Sequence, residues 1–155
     1  TDDASNEKML RSTLLINNAA NANFVPLKTQ HGDAEDAVLT CTENLQKMRT
    51  PFDVLILGMG EDGHTASLFP CSEQIAQGLD LESGNAFIAV QPKTAPNQRM
   101  TMTLPALLNS NQIFLHLTGE SKKEVLNTVL SDDDAMVMPI RAVINNAEVE
   151  LLWAP

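Results

Sequence analysis

The sequence predicts an α/β fold, a single layered domain over residues 1–155 in which strands of a mainly parallel sheet alternate with helices. Three observations carry this reading. Residues 54–57 are Val-Leu-Ile-Leu, a continuous apolar run suited to a strand buried on both faces. Gly58, Gly60 and Gly63 follow at once, so the backbone turns sharply where that strand ends. Further apolar runs at 86–90 (AFIAV) and 113–117 (IFLHL) are separated by helix signals, the alternation expected of a layered α/β domain.

The elements follow in order. Ser5 or Asn6 caps a helix running to about residue 17, with Met9, Leu10, Thr13 and Leu14 on one apolar face. The Asn- and Ala-rich stretch 17–23 breaks it, and 24–27 is short and extended. Asp33 caps a second helix over 34–48, where Ala34, Ala37, Val38, Cys41, Leu45 and Met48 recur at helical spacing. After the strand and glycine turn, residues 65–69 start a helix that Pro70 limits. A strand at 86–90 leads into a loop at 91–98 containing Pro92 and Pro96, and 99–103 alternates as a strand does. A helix over 104–108 has Pro105 in its first turn, where proline is tolerated. The strand at 113–117 ends at Thr118-Gly119, and Ser121 with Glu124 forms a capping box opening a helix to residue 130. Residues 131–134 form an acidic turn, 139–144 a short helix and 149–153 a last strand.

Composition narrows the partners. The formal net charge is −10, which disfavours a nucleic-acid backbone or an anionic membrane surface, so any phosphate ligand needs a local basic pocket. The only cysteines, Cys41 and Cys71, have no metal-ligand spacing and imply no disulfide framework. No stretch reads as a signal peptide or a membrane span, which makes the cytoplasm the expected compartment. Oligomeric state leaves no mark in the sequence.

The chemistry concentrates in the glycine turn. Asp62 and His64 lie inside it, at the end of a strand, where α/β folds place ligands and reacting groups. A loop histidine satisfied by backbone is the bland alternative, but the setting beside Asp62 favours function. The spacing Gly58-x-Gly60-x-x-Gly63 formally matches a dinucleotide fingerprint. That fingerprint wants an acidic residue closing the next strand, yet Glu82 precedes 86–90 and Gln91 follows it, so no nicotinamide cofactor is expected. His116, within an apolar strand, reads as a core residue, and His31 beside Gly32 as a surface turn. Lys122 stands at a helix start, where a cation opposes the dipole unless it helps hold an anion. Arg99 follows a proline-containing loop and offers a second cation.

Taken together these motifs resemble the 6-phosphogluconolactonase family. LGMGEDGHTASLFP at 57–70 is similar to that family's signature, RMTMTLPA at 99–106 to its Arg-x-Thr-x-Thr segment, and Thr118-Gly119-Glu120-Ser121-Lys122 to its Thr-Gly-x-x-Lys segment. Ser5-Asn6 resembles the pair that opens a family helix. The resemblance implies the Rossmann-like fold shared with glucosamine-6-phosphate deaminase, and hydrolysis of 6-phosphogluconolactone in the pentose phosphate pathway without metal or cofactor. His64 would then be the general base on water, Asp62 its orienting partner, and the turn's N–H groups around Gly58, Gly60 and Gly63, or Arg99, the oxyanion donors. Arg99 and Lys122 would hold the phosphate. The family also carries an earlier Ser-Gly-Gly loop and an Asp-Glu-Arg motif that this sequence lacks. The chain is therefore expected to be the carboxyl-terminal part of such a domain, without its N-terminal portion and a poor lactonase alone. Two rivals remain: a deaminase/isomerase relative, whose Phe-Asn-Glu-Pro-like continuation is replaced here by Ala66-Ser67-Leu68-Phe69-Pro70, and a non-catalytic sugar-phosphate binder.

Overall fold

A computed structural model describes residues 5–94 and 97–155; Thr1 to Ala4, and Ala95 and Pro96 of the 91–98 loop, lie outside the described residues. The elements run α1 (Asn6–Thr13), a single 3-10 turn (Asn17–Ala19), α2 (Ala34–Leu45), β1 (Leu55–Leu57), α3 (Ile75–Leu79), β2 (Phe87–Val90), β3 (Arg99–Met102), α4 (Leu104–Leu108), β4 (Ile113–Thr118), α5 (Glu120–Val129), α6 (Ile140–Asn146) and β5 (Val149–Ala154). No helix among the described residues is long and apolar enough to cross a membrane.

Two sheets result. β1, β4 and β5 form a parallel sheet in the order β1-β4-β5, with Leu55 opposite Ile113 and Ile113 opposite Val149. β2 and β3 form a separate antiparallel pair in which Val90 faces Arg99. Because side chains alternate along a strand, odd-numbered positions of the parallel sheet share one face. That face is the core: Leu57, Ile113, Leu115 and Leu117 pack with Leu104 and Leu107 of α4, Leu126 and Val129 of α5, and Ile140 and Val143 of α6. α2 instead lies on the hairpin, burying Ala37 and Cys41.

The other face of the parallel sheet departs from expectation. The run at 54–57 is not buried on both sides, since Ile56 is 67% exposed and Val54 48%. Leu152 on β5 is exposed as well, and His116, expected in the core, points out beside it on β4. On β4 the odd-numbered side chains are buried in the core and the even-numbered ones are not, so an even-numbered position in an apolar strand need not be buried here.

Local signals also fail in places. α1 stops at Thr13 and buries no residue; Met9 and Leu14 of its expected apolar face are exposed. The side chain of Ser5 does cap it, accepting from the N–H of Lys8 at 3.3 Å. α2 ends at Leu45, and although Asp33 occupies its N-cap, the free N–H of Ala34 is taken at 2.9 Å by Oε1 of Gln98 from the β2–β3 connection.

Candidate active site in the turn after β1

The turn that leaves β1 closes on itself. The N–H of Gly60 donates to the carbonyl of His64 at 2.8 Å, the N–H of Gly63 to Gly60 at 3.1 Å, and the Thr65 hydroxyl to the carbonyl of Gly58 at 2.9 Å. Gly63 has φ +74°, and a Cβ there would come within 2.6 Å of Met138, so the turn needs glycine on both backbone and packing grounds. Its carbonyl accepts from the N–H of Ile140 at 3.0 Å, fastening the turn to the start of α6. The helix expected at 65–69 does not form. Ala66 takes φ +49° and Thr65 bridges Leu68, giving a second tight turn; the next helix begins only at Ile75. A left-handed alanine costs ~1–2 kcal/mol, and the buried Leu68 and Thr65 on either side of the turn hold it there.

Within this frame His64 and Asp62 form a pair. Nδ1 of His64 lies 2.6 Å from Oδ1 of Asp62, which also accepts the backbone N–H of His64 at 3.2 Å. Partial burial works to raise the Asp62 carboxyl, but the hydrogen bonds from His64 outweigh it and hold the group below the ordinary aspartate range. At neutral pH Asp62 is therefore a carboxylate and can only accept, so Nδ1 must carry the ring proton. The neutral imidazole then has Nε2 as its bare, basic nitrogen. Gly60 makes room for this pair, because a Cβ at that position would sit 2.1 Å from Nδ1 of His64. The buried ring of Phe69 stacks on the imidazole with centroids 4.1 Å apart and an interplanar angle of 27°. Both His64 and Asp62 keep solvent access, as a group that must meet a substrate requires.

The two basic residues enter from other elements. β4 is the parallel neighbour of β1, so its carboxyl end opens on the same edge of the sheet as the histidine turn. Gly119 turns the chain there with φ +87° and occupies the N-cap of α5, making Lys122 the third residue of that helix. The expected capping box is absent: Ser121 lies inside the helix, and no side chain caps its first turn. Lys122 is half-buried and has neither hydrogen bond nor ion pair among the described residues. Arg99 opens β3 on the other sheet; its Nε is buried and has no hydrogen-bond partner. Two residues along the same side of β3, Oγ1 of buried Thr101 accepts the N–H of Ser67 at 3.1 Å, tying the hairpin to the turn beyond His64.

The structure thus groups Gly58, Gly60, Asp62, Gly63 and His64 in one turn and puts Lys122 on the same sheet edge. Arg99 stands on the separate hairpin and shares no hydrogen bond with His64 or Lys122. Sequence reading missed Phe69, Thr101 and Arg141. The last is buried and donates to the carbonyls of Thr128 at 2.8 Å and Val129 at 3.0 Å, closing the end of α5. Its position in a helix of apolar residues after an acidic turn was the only signal.

Residues 1–153 match the family described as glucosamine-6-phosphate isomerases/6-phosphogluconolactonase. A 6-phosphogluconolactonase of Rhizobium meliloti is 36% identical over 99% of this chain and 67% of its own length. One from Mesorhizobium japonicum is 37% identical over 97% of this chain and 63% of its own. The crystal structure of a 6-phosphogluconolactonase from Shewanella baltica superposes with a TM-score of 0.95 at 44% identity, covering 99% of this chain and 66% of that one. The chain spans about two thirds of the length of the relatives it matches.

Proposed function

Since this chain belongs to the glucosamine-6-phosphate isomerase/6-phosphogluconolactonase family, we propose that it hydrolyses 6-phospho-D-glucono-1,5-lactone to 6-phosphogluconate, a cytoplasmic step of the pentose phosphate pathway. The observation that carries the mechanism is the 2.6 Å contact between Asp62 and Nδ1 of His64. With that nitrogen committed, Nε2 takes a proton from a water as its oxygen attacks the lactone carbonyl. The tetrahedral intermediate then expels the ring oxygen, which receives the proton back from the imidazolium, and the new carboxylic acid ionises at neutral pH. A positioned base of this kind contributes ~10²–10⁴ in rate. Oxyanion charge falls to the N–H groups of the glycine turn or to Arg99, whose Nε donor is unspent. Lys122, with the uncapped first turn of α5, takes the phosphate, and Arg99 assists it.

The names of the relatives favour lactonase over deaminase within the family. We also propose that residues 1–155 form the carboxyl-terminal part of the lactonase domain, in line with the two-thirds coverage. The test is acid release on adding the lactone, corrected for spontaneous hydrolysis, in this chain and in one extended at its amino end to the relatives' length. Activity that disappears on His64→Ala supports the reading. Ammonia from glucosamine 6-phosphate would identify a deaminase instead, and binding of the lactone without acid release in either chain a sugar-phosphate binder.

A further inference from the structure

A histidine χ2 torsion has a broad, shallow preference, so the direction of Nε2 is set by what touches the ring. The Asp62 hydrogen bond fixes one ring atom and the choice of ring flip, but it leaves the plane free to swing about the Nδ1···Oδ1 line. Phe69 supplies the missing restraint. Its ring stacks on the imidazole with a tilt of 27° and centroids 4.1 Å apart, and stands in the way of rotation out of that plane. The phenyl ring is itself held. It is 9% exposed and follows Leu68, which is wholly buried and donates its N–H to Thr65 at 2.9 Å. Its own carbonyl accepts from Ser72 at 3.1 Å. The imidazole lies in the space that a side chain at Gly60 would need, so the backbone of the turn limits it as well.

We propose that Phe69 is a positioning residue: its stack against His64, together with Asp62, aims Nε2 at the attacking water. The proposal rests on the general-base role of His64 for its catalytic consequence, though not for the ring contact itself. It assigns a function to the phenylalanine that follows the histidine by five residues, which only the two consecutive tight turns bring back over the imidazole.

The contact is read first in the unaltered chain, uniformly labelled with ¹⁵N and ¹³C. Cross-relaxation between the His64 ring protons and the Phe69 ring protons is expected, with Nδ1 protonated and Nε2 bare by their ¹⁵N shifts above the pH where the ring charges. Absence of that cross-relaxation overturns the proposal whatever the variants do. In Phe69→Leu the tautomer, held by Asp62, should persist, while turnover should fall roughly tenfold or more with little change in KM, as misaimed groups do. Phe69→Tyr, which keeps the ring, should restore turnover. A Phe69→Leu chain with unchanged turnover would also overturn it. If His64→Ala stays active, the general-base reading falls, while the cross-relaxation between the two rings still decides whether Phe69 holds the imidazole.

Discussion

Two loops leave the same edge of the parallel sheet and solve different problems. The turn after β1 closes through its own backbone and threonine hydroxyl, and fixes one side chain, His64, by a carboxylate and an aromatic face. The turn after β4 is a single left-handed glycine that runs straight into α5, and its support comes from the far end of the chain. The N–H of Gly119 donates to Ala154 at 2.9 Å, its carbonyl accepts Nε1 of Trp153 at 3.1 Å, and Lys123 rests over the Trp153 ring at 4.4 Å. The first loop determines the angle of a proton acceptor, and the second delivers a charge. Chemistry depends steeply on angle whereas charge attraction depends weakly on it, so the more restrained loop should be the one that controls turnover.

The comparison breaks most sharply at His64. His64→Ala should lower turnover by ~10²–10⁴ with substrate affinity nearly unchanged; weakened binding at normal turnover would assign the residue to ligand holding. Next comes the pair's geometry. Asp62→Asn can turn its amide towards Nδ1 and reverse the tautomer, so turnover should fall on the order of tenfold to a hundredfold. Gly60→Ala should do likewise with little loss of stability, because the group it strikes is a side chain that can swing aside; a lowered melting temperature at normal turnover would mean the turn, and not the imidazole, gave way.

Asp62 also predicts a pH response. Its folded pKa lies below its unfolded one, so the contribution to stability is complete above the ordinary aspartate value of about 3.9 and disappears as pH falls through the lower folded value. Denaturant midpoints of the wild type and Asp62→Asn should therefore converge at acid pH; parallel curves would show that Asp62 is not held low in the folded chain.

On the β4 side the expected effects are smaller and of another kind. Lys122→Ala should raise KM by roughly tenfold at nearly constant turnover, the scale of one charge-assisted hydrogen bond. Trp153→Phe removes the bond to Gly119 and should cost about 1 kcal/mol of stability by denaturant melt, with turnover altered least of all. A larger effect on turnover than on stability would place the Gly119 turn in the chemistry and erase the contrast between the loops.

Much of this was legible in residue order. A run such as Val54 to Leu57 is a strand in almost any surroundings, and three glycines after it force a turn, so the place of His64 and Asp62 follows from local chemistry. Lys122 at a helix start is equally local. The errors fell where the outcome depends on neighbours distant in sequence. Residues 65–69 read as a helix because nothing in their order reveals that Thr101 will take the Ser67 N–H, or that Leu68 will be buried against the place of Gly78. Ser121 read as a cap because the bonds that Gly119 makes to β5 are invisible locally.

By itself, then, the sequence determined the alternation of strands and helices, the glycine turn and the identity of the acid–histidine pair. These follow from side-chain periodicity and backbone freedom, which act over a few residues. Only the tertiary structure decided that His116 and Ile56 face outward, that Phe69 lies over His64, and that β1 and β4 share an edge. Burial, stacking and strand order depend on which surfaces meet, and that is a property of the folded chain rather than of any segment within it.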